Sequence, residues 1–296
     1  MTKTQVLDRL YDLLISEKVK FKIEKIILII GMISFVVHLA LIYLKRYGLL
    51  DLFETSNFFD NPIAAIYTPF SFILIYEVYL LIFYLPRSIT TYITKQYEII
   101  TLIVIRRIFK DLSNLELSSN WFEIKNDIAF TYDIITALLL FFLIYLFSYL
   151  KDNLDIQNLE NPLKSSQIQQ FIDIKKIMAS ALIPIFIVIG LFTFGGWITS
   201  SVPSNISAAL KDVNSLFFDE FFAVLIIVDV LLLLVSFFYT DQFHKVIRNS
   251  GFIISTILIR MSFTVEGFMN NILIMASIVF GLGILWIHNK FAKNLR

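Results

Sequence analysis

The chain has 296 residues, 57% of them apolar and only 17% charged, with a mean hydropathy of +0.76. A soluble domain carries about 25% charged residues, and a single water-soluble core has no room for 30 Phe and 13 Tyr, so a soluble enzyme and a disordered chain are both excluded. The net charge of +1 leaves no basic excess to attract nucleic acid.

About 25 charged, mixed residues precede the first apolar run, which continues for a full span, so no cleavable signal peptide is expected. In this arm (1–25) Val6, Leu7, Leu10, Leu13 and Leu14 recur at helical spacing, with Asp8, Arg9 and Asp12 between them. That pattern predicts an amphipathic helix on the membrane surface or against the bundle. Lys18, Lys20, Lys22 and Lys25 follow, and the positive-inside tendency places the N-terminus in the cytoplasm.

A helix needs about 20 mainly apolar residues to cross the hydrocarbon core. Six segments meet that length: 26–44, 63–85, 129–150, 177–199, 217–239 and 268–287. They are apolar on every side, whereas membrane β-strands alternate, so the expected fold is an all-α, polytopic integral membrane bundle. Segments 99–105 and 252–260 are shorter and flanked by charge; each reads as a short span, a re-entrant segment or an interfacial helix.

These two segments resemble one another. Ile99–Phe109 and Ile253–Phe263 agree at six of eleven positions, including Arg106 and Arg260. In both halves an acid inside a span precedes the arginine, Glu77 by 29 residues and Asp229 by 31. An Ile-rich chain makes apolar identities cheap, and low complexity imitates homology. The polar matches favour a tandem duplication of a four-helix unit, with repeats at 26–150 and 177–296 joined by a polar linker at 151–176. Basic flanks before each repeat then give eight spans and two cytoplasmic termini in a plasma (inner) membrane, with six spans as the minimum.

Ionisable groups within a span cost at least about 2.5–3.5 kcal/mol on insertion scales. Glu77, Asp229 and Asp133 qualify, with Arg106, Arg107 and Arg260 as counter-charges; Asp133 lies near enough to its span edge to be wet. These six residues read either as an ion pathway or as structural pairs, Glu77–Arg106 and Asp229–Arg260. His38 reads as a hydrogen-bonded interior histidine before a proton-sensitive relay. Tyr43, Tyr67, Tyr84, Tyr149, Trp197, Tyr239 and Trp286 sit where aromatic rings anchor at the interface. Pro69 and Pro184 are expected kinks, Gly195-Gly196 an expected span end, and Gly281-x-Gly283 a close helix contact.

Phosphate-loop, dinucleotide, HExxH and GxSxG patterns are missing from the chain, its three histidines are far apart in sequence, and it has no cysteine. No catalysis, cofactor or metal is expected. The leading expectation is a homo-oligomeric ion channel in the lipid bilayer that moves inorganic ions. A non-transporting scaffold or signalling subunit is the alternative, as is a secondary transporter, which the 9 Gly and 6 Pro disfavour.

Overall fold

The computed structural model describes residues 9, 11–48, 62–112, 125–158, 166–201, 206–239, 242–265 and 267–294. Among these are eight helices: α1 Glu17–Arg46, α2 Tyr67–Tyr84, α3 Ile89–Leu112, α4 Lys125–Asn158, α5 Ser166–Ser201, α6 Ile206–Tyr239, α7 Phe243–Ser262 and α8 Phe268–Asn294. Five helical stretches are long and apolar enough to cross a membrane: Tyr11–Arg46, Asp127–Asp152, Gln169–Phe192, Glu220–Tyr239 and Phe268–Asn294. This is a multi-span helical membrane protein.

The expected span at 63–85 needs correction. Its start is a 3₁₀ turn, Pro62–Ile66, so the apolar helix shortens to Thr68–Tyr84. Pro69 falls in the first turn of α2, where its missing N–H has no helical partner to lose, and it is therefore no kink. Pro184 does lie inside α5, and α5 runs on through Gly195-Gly196 instead of ending there.

The basic stretch that ends the arm is part of α1 itself. Ser16 caps that helix, its hydroxyl accepting from the Val19 N–H at 3.4 Å, and Glu17 complements the dipole. Lys45 and Arg46 close the other end, before Gly48 turns the chain at φ 69°. Upstream, Ile15 is buried while Leu13 is 69% exposed. Val6, Leu7 and Leu10 lie outside the described residues.

Successive helices run antiparallel. At one end Glu17 pairs with Arg87 at 2.9 Å, Lys175 donates to the Arg87 carbonyl at 2.6 Å, and Asn289 donates to the Leu150 carbonyl at 3.0 Å. The rings of Phe171 and Tyr239, and of His244 and His288, meet there too. With Lys151, Lys176, Lys245, Arg248 and Lys290, this is the basic end of the bundle. At the other end the start of α2 meets α1 (Thr68 and His38), and the starts of α4 and α8 meet the ends of α3 and α7.

Around the bundle the neighbours run α2, α3, α4, α8, α7, α6, α5 and back to α2, with α3 and α7 also touching across the ring. The peripheral α1 packs on α2, where Gly31 lies against Pro69. Tyr76 pins these two together by donating to Glu24 at 2.8 Å. Tyr76→Phe should cost about 1 kcal/mol, read as a lower melting temperature in detergent.

Outward faces are aliphatic and aromatic, as at Phe141, Phe192 and Phe238. The inward faces of α3 and α7 are mixed, with polar groups set among Ile93, Ile100, Phe252 and Ile259. They bury Thr94, Gln96, Thr101 and Arg106 on one helix, and Asn249, Ser255, Thr256, Arg260 and Ser262 on the other. Hydropathy left these two segments ambiguous because most of their surface faces protein, where polar groups find partners.

Candidate functional site

A deeply shielded polar cluster centres on Asp229 of α6, whose residue surface is fully buried. Arg260 of α7 approaches its Oδ2 to 2.8 Å, and Tyr92 of α3 donates its phenol hydrogen to Oδ1 at 2.9 Å. Thr256 Oγ1 lies 3.1 Å from Oδ2 and 2.9 Å from the Ile253 carbonyl, so its single proton serves one acceptor at a time. Arg260 Nη2 also donates to Gln96 Oε1 at 3.2 Å, which orients that amide. Arg260 Nη1 and Gln96 Nε2 are then buried donors without a protein partner among the described residues.

Glu77 of α2 forms a second acid–arginine pair. It is 3% exposed and lies 3.5 Å from Arg106 Nη1 on α3, which also reaches the Phe70 carbonyl at 3.5 Å. Both expected acid–arginine pairs are thus brought together, each between the second and third helix of its half.

Arg107 takes another course: its guanidinium faces neither Glu77 nor Asp229. Nε and Nη2 both reach the carboxylate of Asp133 on α4, the second at 2.8 Å, in a bidentate pair. Nη1 donates to Asn270 Oδ1 at 2.8 Å and Nη2 to Asn271 Oδ1. Asn271 returns a bond to Asp133 Oδ1 at 2.7 Å, and Asn270 donates to the Ser262 carbonyl at 2.5 Å. One arginine so ties α3, α4 and α8 together. Asp133, expected to be wet, is 4% exposed, because Arg107 and Asn271 cover it.

A third group links α3, α7 and α8 below these. Tyr97 and Ser255 share a hydrogen bond of 2.7 Å, and Ser255 donates to the Ser277 carbonyl at 2.7 Å. The Tyr97 hydroxyl proton therefore points to Ser255 Oγ. Gly281 makes room for the Tyr97 ring: a Cβ there would overlap the hydroxyl oxygen and lie 3.1 Å from Cζ. Gly283 has no such neighbour, so only one of the two glycines carries the expected close contact.

At the basic end Arg248 donates to Asn249 Oδ1 at 3.0 Å and meets His288 Nε2 at 3.3 Å, while His288 Nδ1 faces the His244 carbonyl at 3.2 Å. Arginine only donates and a carbonyl only accepts, so this geometry suits His288 with its proton on Nδ1. Two histidines far apart in sequence are stacked, with centroids 5.2 Å apart. His38 stands apart against Thr68, buried and hydrogen-bonded. Among the described residues no group of three or more His, Cys, Asp or Glu is placed to hold a metal ion.

From one end of the bundle to the other the buried polar groups lie in separate clusters: Arg248 with His288, Tyr97 with Ser255, the Asp229 cluster, and Arg107 with Asp133 and Asn271. Sequence reasoning found Asp229, Arg260, Arg107 and Asp133 but missed Arg248, Tyr92, Gln96, Thr256, Asn270 and Asn271. The available signal was the buried polar face of α8, where Asn270, Asn271, Ser277, Gly281 and His288 fall at helical spacing. No protein-family model, curated protein or solved structure matches the chain.

Proposed function

We propose that this chain is a membrane-embedded ion-conducting protein, with a pathway that passes the polar clusters buried among α3, α6, α7 and α8. The succession of these clusters from end to end of the bundle is the observation that carries this reading. Ionised groups inside a membrane bundle are costly, and a buried pair gives little net stability because desolvation offsets the Coulomb attraction. A pathway gives them a use: carboxylates and arginines at a constriction select by charge. The donors of Arg260 Nη1 and Gln96 Nε2 offer further polar contacts midway.

In this reading all eight helices span, the two halves descend from one four-helix unit, and the basic end with both termini faces the cytoplasm. The repeated pairing of Glu77 with Arg106 and of Asp229 with Arg260 supports the duplication. The active form is a homo-oligomer in the plasma (inner) membrane and has no catalytic role.

A second reading is favoured by one observation, that each of the three acids already has an arginine within bonding distance. The pairs would then only fix helix packing in a non-transporting membrane subunit. Flux from liposomes separates the two, under potassium, sodium, chloride and proton gradients. Conduction requires selective wild-type flux, changed severalfold by Asp133→Asn without unfolding. The packing reading requires no flux from folded protein, with expression lost in Glu77→Gln and restored by adding Arg106→Gln.

A further inference from the structure

At the basic end, Lys175, Lys245 and Arg248 are cations that no acid answers. Lys175 of α5 is 2% exposed, and its ammonium meets the Arg87 carbonyl at 2.6 Å and the Phe171 ring at 4.9 Å. Arg248 of α7 is half-buried and bonds through three of its five N–H groups, all to neutral acceptors, Asn249 Oδ1 and His288 Nε2. Lys245 stands exposed one turn before it on the same face of α7. Neither α7 nor α8 contains an Asp or a Glu. Among the described residues no carboxylate lies within ion-pair distance of Lys175, Lys245 or Arg248.

The acids further in are different. Glu77, Asp133 and Asp229 stand beside Arg106, Arg107 and Arg260, so to a passing ion each is close to a neutral pair. The unanswered cations also stand where the polar clusters begin. Arg87, whose carbonyl holds Lys175, lies little more than a turn before Tyr92, the donor to Asp229. His288, which Arg248 meets, lies two turns of α8 beyond Gly281, and Gly281 packs on Tyr97. Orientation in the membrane asks only for exposed cations flanking the spans. Burying the charge of Lys175 is a further cost that orientation does not require. A passage lined by one sign of charge between low-dielectric walls concentrates ions of the other sign, and anion pores use Arg and Lys where cation pores use Asp and Glu.

We propose that the ion this protein passes is a small inorganic anion, drawn in at the basic end past Lys245, Arg248 and Lys175. The inference rests on the conduction reading and names the class of ion that it moves.

The test is current across a planar bilayer holding the full chain, with potassium chloride unequal on the two sides. The zero-current voltage should take the sign set by chloride, and gluconate in place of chloride should reduce the current. Lys245→Glu, a surface change, should lower the chloride-to-potassium permeability ratio by at least about threefold at low salt. The effect should shrink at high salt, where screening shortens the reach of the charge. Arg248→Gln should lower the ratio too, whereas Arg248→Lys, which keeps the charge, should hold it near the wild-type value. A zero-current voltage of the sign set by potassium would overturn the proposal and leave conduction standing. So would a ratio unmoved by both Lys245→Glu and Arg248→Gln in folded protein. No current from folded wild type would remove the conduction reading, and this inference with it.

Discussion

Arg260→Leu is expected to destabilise the protein by about 3–5 kcal/mol, the cost of stranding one member of a buried ion pair. Asp229 has no exposure to draw on, and without Arg260 only the Tyr92 and Thr256 hydroxyls would remain to satisfy it. Asp229→Leu combined with Arg260→Leu should recover most of the loss, since two apolar side chains replace a pair whose own desolvation was costly. Thermal unfolding in detergent of the wild type, both single variants and the double variant reads this cycle. A cost for Arg260→Leu alone of under about 1 kcal/mol would mean that Asp229 carries no charge in the folded protein.

The second large effect lies one turn of contacts away, at Gly281. Adding a methyl group there drives a Cβ into the Tyr97 hydroxyl, and Tyr97 is wholly buried, held by Ser255 and packed edge-on against Phe147 at 5.1 Å. The ring cannot retreat without breaking both contacts. Gly281→Ala should therefore cost about 1–3 kcal/mol, as overpacking does. Adding Tyr97→Phe should return part of this: it removes the overlapping oxygen but leaves Cζ 3.1 Å away, tighter than ordinary contact. Gly283→Ala, which meets nothing within 4 Å, is the control and should be neutral.

The outer helices were legible because lipid-facing surface announces itself: α1, α4, α5, α6 and α8 each show a run of apolar residues long enough to span. The acid–arginine spacing of each half also signalled its partners, since neighbouring antiparallel helices bring residues about thirty positions apart to a similar depth. What stayed hidden lay between the halves. Tyr92 reaches Asp229 across 137 positions and Gln96 reaches Arg260 across 164, and neither is charged, so nothing local marks them. Arg107 misled for the converse reason. Its neighbour Arg106 faces α2, and a step of about 100° around the helix turns Arg107 toward α4 and α8.

The polar groups buried on α3 and α7 bear on how much of this chain is specified letter by letter. A side chain that meets only acyl tails answers to one requirement, being greasy, and leucine, isoleucine and phenylalanine answer equally well. Most of the 296 positions on the outer faces are therefore near-synonymous, and a drifting copy would lose its resemblance there first while keeping its shape. The information sits in a sparse code of polar letters, spelled by Tyr92, Gln96, Tyr97, Arg107, Asp229, Ser255 and Arg260, where each letter is checked by a partner on another helix. A distant cousin of this protein would be recognised by that spacing and not by its hydrophobic runs.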